Sequence, residues 1–139
     1  MKLAMFEPTS ESKKEIDDWF VAYDELTRYF KFEEMADRGL FPMYVITDDS
    51  TGNGVTRTWS REDFITSMKS AMENTPDDIQ YNTVRKPYMI NANVAIVLTE
   101  WRPNKDSDEG ALKYADVLLK KDGEWRFQTM IQGGWGDFL

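Results

Sequence analysis

The stretch YADVLLKKDGEWRFQTMI, residues 114–131, decides the fold of this chain. Two runs of strand-forming residues flank Asp122 and Gly123, and an Asp-Gly pair is a strong hairpin signal because glycine accepts a positive φ. Residues of alternating character in the second run predict a strand with two distinct faces. We therefore predict a β-hairpin here. The residues predicted to share one face of its second strand are Trp125, Phe127, Thr129 and Ile131.

Asp116 lies inside the first strand of this hairpin, among apolar neighbours that suit an acid poorly. It shares one strand face with Tyr114 and Leu118, but alternation does not say which side of the sheet that is. Toward a pocket, Asp116 would be a candidate acid or base with a pKa raised by desolvation. Toward the outside, it would pair with Arg126 or a neighbouring strand. We favour this second, structural interpretation, since ion pairs commonly explain acids in sheets.

The remaining sequence predicts one domain over residues 1–139, with residues 1–11 as a loose N-terminal arm. Ser12 and Glu15 have the spacing of a capping box, which predicts the start of a long helix. An apolar stripe with helical spacing follows, and it predicts the face that packs against the core. The stripe consists of Ile16, Trp19, Phe20, Tyr23, Leu26, Thr27 and Phe30.

Capping and apolar spacing of the same kind predict a second, short helix and a third helix that starts at Ser60. Strands are predicted between and after them, with a bulge or bend at Pro87. The order is ααββαββββ, which predicts an α+β fold with helices on one face of a curved, mainly antiparallel sheet. The predicted strands before the hairpin span residues 40–47, 55–59, 79–90 and 94–102.

Charge and composition restrict the partners. Lys and Arg number 17 against 25 Asp and Glu, which gives a formal charge of −8. This acidity disfavours nucleic acid and anionic membranes as partners. Apolar runs are too short to span a bilayer, and no signal peptide is recognised. The sequence thus predicts a cytoplasmic protein.

The missing residue types restrict the chemistry. The chain contains no Cys and no His, which excludes disulfides, thiolate nucleophiles, the commonest neutral-pH base and histidine-ligated metals. No dinucleotide or phosphate-binding glycine motif is present, and no cofactor is indicated. The paired carboxylates at residues 48–49 and 77–78 could attract a hard cation, but turns favour Asp for local hydrogen bonds, and we predict no metal site.

The chain resembles the nuclear transport factor 2-like superfamily, in particular its SnoaL-like and ketosteroid-isomerase-like members. The resemblance covers roughly residues 13–135 and is carried by the order of elements, together with residues 16–23, 41–47 and 114–126. It implies a cone in which the bent sheet wraps the first helix and leaves an apolar pocket at the open end. It also implies a homodimer formed through the outer face of the sheet.

The same resemblance gives mixed implications for activity. The isomerases use an acid on the first strand, whereas the matching residues 43–45 here contain none, and members similar to scytalone dehydratase use histidines, which this chain lacks. Asp116 matches the position of an acid donor in the isomerases and of the catalytic acid in SnoaL-like cyclases. Tyr23, or Trp19 one turn earlier, lies near the position of the isomerase tyrosine. From the residues alone, a packed Tyr23 is favoured over a catalytic one.

Three functions remain open. The leading hypothesis is a protein that binds a small apolar ligand in the cone pocket without assigned catalysis. The alternatives are an isomerase-type or cyclase-type enzyme acting on a small carbonyl compound, with Asp116 as acid or base and Tyr23 as donor, and a dimeric interaction module. The five tryptophans are expected to be core or interface anchors rather than a ligand cage. The residues predicted to approach one pocket are Trp19, Tyr23, Tyr44 and Asp116.

Overall fold

A computed structural model describes residues 10–73, 82–104 and 106–139. Over these residues the predicted order of helices and strands is confirmed, with a short 3-10 helix added after the last strand. None of the helices in the described ranges is long and apolar enough to cross a bilayer. The elements are α1 (Ser10–Arg28), α2 (Phe32–Ala36), β1 (Gly39–Asp48), β2 (Gly54–Trp59), α3 (Arg61–Glu73), β3 (Asn82–Met89), β4 (Val94–Arg102), β5 (Leu112–Lys121), β6 (Glu124–Gln132) and the 3-10 helix Gly136–Phe138.

The six strands form one sheet in the order β2-β1-β6-β5-β4-β3. All neighbouring pairs are antiparallel except β1 and β6, which run parallel. The last strand therefore joins two antiparallel units, β1–β2 on one side and β3–β4–β5 on the other. The α+β fold with a mainly antiparallel sheet and an N-terminal helix is confirmed.

The turn between β5 and β6 has the predicted hairpin geometry. Asp122 has φ 52° and Gly123 has φ 80°, so both central residues adopt the left-handed conformation that a type I′ turn requires. Lys121 and Glu124 face each other at the start of the ladder. The Asp-Gly signal in the sequence is sufficient to place this turn.

The predicted start of α3 is confirmed, whereas the predicted start of α1 differs from the structure. At α3, the Ser60 hydroxyl accepts a hydrogen bond from the Asp63 amide at 3.1 Å, and the Asp63 carboxylate accepts one from the Ser60 amide at 3.0 Å. This is the predicted capping box. By contrast, α1 begins at Ser10 rather than Ser12, and Ser12 is buried within its first turn. Residues 1–9 of the predicted arm lie outside the described residues, and the extent of the domain stays a prediction.

A bulge in β6 corrects the predicted pattern of its faces. Val117 pairs with Thr129, whereas the next residue, Leu118, pairs with Phe127, so that Gln128 is an extra residue. An extra residue moves the following side chains to the opposite face of the strand. The prediction that Thr129 shares a face with Phe127 is therefore wrong, because the strand is not a regular alternation.

Pro87 does not cause the predicted bulge. Strand β3 pairs with β4 residue by residue, and Pro87 faces Val97 without a shift in register. The strand lies at the edge of the sheet, where a residue without an amide N–H can be accommodated because one side of the strand has no partner strand among the described residues.

The core lies between α1 and the concave, inner face of the sheet. From the predicted helix stripe, Ile16, Trp19 and Phe20 are buried, whereas Phe30 lies beyond the end of α1 and is 50% exposed. We call the side of the sheet that packs on α1 the inner face and the opposite side the outer face. The fully buried side chains include Ile16, Met35, Met43, Val45, Phe64, Val97 and Leu118.

Candidate ligand cavity

A cavity of about 640 Å³ lies between α1 and the inner face of the sheet. Its volume falls within the range of sites for small molecules. Helix α1 supplies one wall, strands β3 to β6 supply the other, and methionines from α2 and α3 and Trp135 from the C-terminal segment complete it. The lining residues are Trp19, Phe20, Tyr23, Asp24, Thr27, Arg28, Met35, Met68, Met72, Thr83, Arg85, Trp101, Leu112, Tyr114, Asp116, Phe127, Met130, Gln132 and Trp135.

Strand register places a row of polar side chains across this wall. Arg85 on β3 lies opposite Thr99 on β4. Tyr114 on β5 lies opposite both Thr99 and Gln132, the latter on β6. Directly opposite residues of antiparallel strands point to the same face. The row is therefore an inner-face feature, and all of its members except the fully enclosed Thr99 reach the cavity.

Asp116 stands in the next row, between apolar neighbours. It faces Val97 on β4 and Met130 on β6. The bulge at Gln128 brings Met130 and Gln132 to the same face as Phe127, which completes the wall around the acid. The sequence alternation correctly grouped Asp116 with Tyr114 and Leu118, and the structure places that group on the inner face.

Among the described residues, Asp116 forms no hydrogen bond and no ion pair. Burial raises the pKa of its carboxyl group to about 7, and the nearby positive charge of Arg85 opposes part of this rise. The favoured interpretation as an ion pair with Arg126 is wrong, because Arg126 pairs with Glu124 at 2.6 Å and donates to the Asp37 carbonyl oxygen. Near neutral pH the carboxyl group can therefore either hold or release a proton.

Tyr23 and Tyr114 supply two phenol groups to the same cavity. Burial raises the pKa of the Tyr23 hydroxyl, and the negative charge of Asp116 adds to this effect. Burial likewise raises the pKa of Tyr114, while Arg85 partly offsets the rise. Both hydroxyl groups consequently stay protonated at neutral pH and are able to donate hydrogen bonds.

The charged pair Asp24 and Arg85 crosses from helix to sheet at the edge of the cavity. Two bonds join the guanidinium to the carboxylate, at 2.5 and 2.8 Å. The guanidinium carbon also lies 4.4 Å from the centre of the Phe20 ring, a cation–π distance. The Nε atom of Arg85 is buried and has no hydrogen-bond partner within the part of the chain that the structure describes. Sequence reasoning missed this pair, since a charge on an edge strand is usually solvated.

Trp19 has a different role from Tyr23, although their rings stack with centres 5.1 Å apart. The Trp19 indole donates a hydrogen bond to the Trp125 carbonyl oxygen at 2.9 Å, so this donor is already used. Trp125 in turn donates to Glu15 at 2.9 Å, and Lys120 pairs with the same carboxylate at 3.0 Å. These bonds hold α1 against the hairpin and fix the wall of the cavity.

Tyr44 is a correction to the predicted set. Its neighbours Met43 and Val45 are fully buried on the inner face, so alternation along β1 turns Tyr44 outward. The side chain is 50% exposed and does not line the cavity. Of the four residues predicted to share a pocket, the structure brings together Trp19, Tyr23 and Asp116.

The tryptophans divide between core and cavity. Trp59 and Trp125 are buried anchors, as expected, and are not among the residues that line this cavity. Trp101 and Trp135 lie in the cavity wall, which the sequence did not predict. Trp135 stacks on Trp59 with ring centres 6.0 Å apart, and its amide donates to the Thr47 hydroxyl at 3.0 Å. The C-terminal segment is thereby attached across the end of the cone.

The carboxylates at residues 48 and 49 have structural partners. Asp49 accepts hydrogen bonds from Thr51 and Asn53 and closes its own turn. Asp48 accepts a hydrogen bond from the Gly134 amide at 2.7 Å. Residues 77–78 lie outside the described residues. Within the described ranges, no group of three or more acidic side chains is placed to hold a metal ion.

No protein-family model and no curated protein matches the sequence. Solved structures do match. A protein of unknown function with a cystatin-like fold from Nostoc punctiforme superimposes with a TM-score of 0.67 at 12% identity, covering 92% of this chain and 94% of that one. A nuclear transport factor 2-like protein of unknown function from Shewanella oneidensis gives a TM-score of 0.60 at 14% identity, covering 88% of this chain and 98% of that one.

A third similar structure carries the provisional name of scytalone dehydratase and comes from Novosphingobium aromaticivorans. Its TM-score is 0.56 at 16% identity, with coverage of 88% of this chain and 86% of that chain. Identities this low show a common fold and leave activity open. The chain thus has the nuclear transport factor 2-like fold, and the resemblance read from its sequence is confirmed at that level.

Proposed function

We propose that this protein binds a small, largely apolar molecule in the cavity, with one polar group of the ligand next to Asp116. The observation that carries the proposal is the composition of the wall, in which aromatic and methionine side chains surround one carboxyl group without a partner in the described chain. Apolar walls with a few converging polar groups are typical of small-molecule sites. Contact with the apolar side chains would supply affinity, and hydrogen bonds to Asp116 and the two tyrosines would fix the orientation of the ligand.

Binding can be tested with naphthalen-2-ylmethanol, a flat apolar probe with one hydroxyl group. We expect a Kd of about a millimolar or lower, since ligands of this kind gain about 0.3 kcal/mol per heavy atom. The indole resonances of Trp101 and Trp135 should shift during titration, whereas that of Trp125, which lies outside the wall, should stay in place. Shifts at all tryptophans alike, or at none, would contradict a specific site.

A matched pair of variants locates the probe. Leu112→Trp fills the mouth of the cavity and should weaken binding at least tenfold. Val21→Trp adds the same side chain on the exposed side of α1, where Val21 is 72% exposed, and should leave binding unchanged. Equal affinities for both variants would place the probe elsewhere.

A second candidate function is proton transfer on a carbonyl compound, with Asp116 as acid or base and Tyr23 or Tyr114 stabilising the oxygen. It is favoured by the pKa of about 7 at Asp116, because a group poised near the working pH transfers protons efficiently. The absence of an acid among the inward residues 43 and 45 of β1 means that one carboxyl group would have to serve both directions of transfer. This is the pattern of a simple enolisation.

Hydrogen–deuterium exchange in 2-tetralone tests this candidate directly. At pH 7–8 in deuterated buffer the protein should accelerate loss of the α-proton signal, and Asp116→Asn should return the rate to that of buffer. The same variant should retain binding of naphthalen-2-ylmethanol, which separates loss of chemistry from loss of the site. A wild-type rate equal to buffer would exclude enolisation of this substrate.

We also propose that the outer face of the sheet binds a second copy of this chain. Large apolar side chains on this face are about half exposed, namely Tyr44, Ile46, Val84, Tyr88 and Leu98. Strands spaced about 4.8 Å apart, with about nine residues of 3.3 Å each, give six strands a face of about 850 Å². This is close to the roughly 800 Å² per partner of a stable interface, so a symmetric pairing of two sheets fits its size and apolar character.

Light scattering should then give about twice the monomer mass of 16.3 kDa. The double change Ile46→Lys with Leu98→Lys should return the mass to that of the monomer, since like charges would face each other across the interface. Val21→Lys, on the opposite side of the molecule, is the matched control and should remain dimeric. A wild-type monomer at micromolar concentration would exclude the dimer.

A further inference from the structure

We propose that the cavity binds a protonated amine, with the ammonium group held between Asp116 and the surrounding aromatic side chains. This inference rests on the proposed binding function and names the chemical class of its ligand: an organic cation on an aromatic or aliphatic scaffold.

The charges around the cavity favour a cation. Four lining residues are charged types: Asp24, Arg28, Arg85 and Asp116. Arg85 is already paired with Asp24 through two bonds, and Arg28 lies 3.6 Å from Glu25. Asp116 is thus the charged lining residue whose partner is missing within the described ranges. An ammonium group would supply that partner and offset the cost of burying the carboxylate.

The aromatic character of the wall points the same way. Rings of Trp, Tyr and Phe attract cations through the negative potential of their faces. The protein already shows one such contact, since the guanidinium of Arg85 lies 4.4 Å from the centre of the Phe20 ring. The other aromatic side chains that line the cavity are Trp19, Tyr23, Trp101, Tyr114, Phe127 and Trp135.

Ligands of other charge fit less well. A carboxylate would bring a second negative charge next to Asp116 while both lining arginines are engaged with their own acids. A neutral alcohol could hydrogen-bond to Asp116 but would bring no opposite charge to the carboxylate. The acidic balance of the whole chain, −8, also favours the approach of a cation.

Binding of the amine should depend on pH through Asp116. The other titratable and charged groups that line the same cavity are Tyr23, Asp24 and Arg28 from α1, Arg85 from β3 and Tyr114 from β5. Arg85 has a raised pKa and stays charged, and the raised pKa values of both tyrosines keep them protonated, whereas the pKa of Asp116 places its titration between pH 5 and 8. Below pH 7 the amine must displace a proton, and its affinity should fall about tenfold per pH unit.

Three probes with one scaffold test the proposal: naphthalen-2-ylmethylamine, naphthalen-2-ylmethanol and naphthalene-2-carboxylate. By calorimetry at pH 8 the amine should bind at least tenfold more tightly than the alcohol, and the carboxylate more weakly than either. Asp116→Asn should bring the amine to within about threefold of the alcohol while hardly changing the alcohol. Asp122→Asn, the same chemical change at the exposed hairpin turn, should leave all three affinities as they are.

The outcomes separate the two proposals. Failure of all three probes would overturn the binding function itself. Binding of the alcohol with an amine no more than threefold tighter, or an amine preference that survives Asp116→Asn, would overturn the amine proposal alone. Where Asp116→Asn does not fold, the pH profile of the wild-type protein decides, since an amine affinity that is flat between pH 5 and 8 contradicts a role for Asp116.

Discussion

Each face of the sheet departs at a few positions from the usual distribution of residues, although the inner face carries the hydrophobic core. On the inner face, β5 directs Tyr114 and Asp116 toward the cavity. On the outer face, Tyr88 and Leu98 are half exposed. A sheet with one solvated side normally carries apolar residues inside and polar ones outside. Neither departure stabilises an isolated monomer, and the proposed ligand and the proposed second copy of the chain would each account for one of them.

The largest expected effect is on the free energy of unfolding. It should be large for a packed residue of the inner face and small for a residue of the outer face. Leu118→Ala should lower the free energy of unfolding by about 2–5 kcal/mol, because Leu118 is fully buried and its truncation leaves a cavity. Leu98→Ala should cost less than about 1 kcal/mol, since Leu98 is 44% exposed. Urea denaturation at a concentration where the chain is monomeric provides the measurement. Similar losses for both variants would remove the distinction between the faces.

The next effect concerns the acid on the inner face. Asp116→Asn should stabilise the protein by about 2 kcal/mol at pH 8 and hardly at all at pH 4. The rise in pKa from 3.8 to about 7 sets an upper bound of about 4 kcal/mol, and the open cavity reduces it.

The direction of this pH dependence follows from the number of protons that the folded and unfolded states bind. Between pH 4 and 7 the folded state keeps the Asp116 proton while the unfolded chain has lost it, so wild-type stability falls as pH rises through this range. The asparagine variant lacks this titration. Thermal unfolding of both proteins from pH 4 to 8 gives the comparison, and a stability difference that does not grow with pH would contradict the raised pKa.

A smaller effect is expected at the charged pair on the inner face. Arg85→Gln should cost about 1–2 kcal/mol, less than a fully buried pair, because the Asp24 side chain is 46% exposed. It should also raise the pKa of Asp116 further, since Arg85 opposes the effect of burial. Carboxyl titration by NMR measures the second effect, and an unchanged or lower pKa at Asp116 would show that Arg85 does not act on it.

The smallest effect on stability is expected at an ion pair on the protein surface, which serves as a reference for the pair on the inner face. Lys14 pairs with Asp18 at 2.8 Å on the solvent side of α1, where both side chains are largely exposed. Lys14→Gln should therefore cause no measurable change in the urea midpoint. A loss comparable to that of Arg85→Gln would mean that location on the inner face does not matter for an ion pair.

Local signals in the sequence predicted local structure well. The Asp-Gly turn, the capping box at Ser60 and the bounds of β4 (Val94–Arg102) all follow from neighbouring residues, and the structure confirms them. Alternation also grouped Asp116 correctly with Tyr114. Such patterns state which residues share a face, because that depends on strand geometry alone.

The remaining features depend on tertiary contacts. Which face of β5 meets α1 is decided by packing, and so the ion pair with Arg126 was favoured wrongly. Tyr44 was misplaced for the same reason. The bulge at Gln128 has no composition signal, and Arg85 resembles any solvated charge until Asp24 approaches it from α1. The candidate site was predicted in part through Trp19, Tyr23 and Asp116, while its walls were not.

The central place of β6 has a consequence for the order in which the molecule folds. Strands β1 and β6 pair although they are separated along the chain by four strands and a helix, and in the described parts of the chain no other strand connects the β1–β2 unit with β3–β4–β5. The two units can form early from contacts close in sequence. The cone closes only when β1 pairs with β6, which the hairpin already joins to β5, and this step must pay the entropy of closing a long loop. Folding should therefore be limited by this one docking event, on the slow scale of milliseconds to seconds that is typical of sheets with distant pairings.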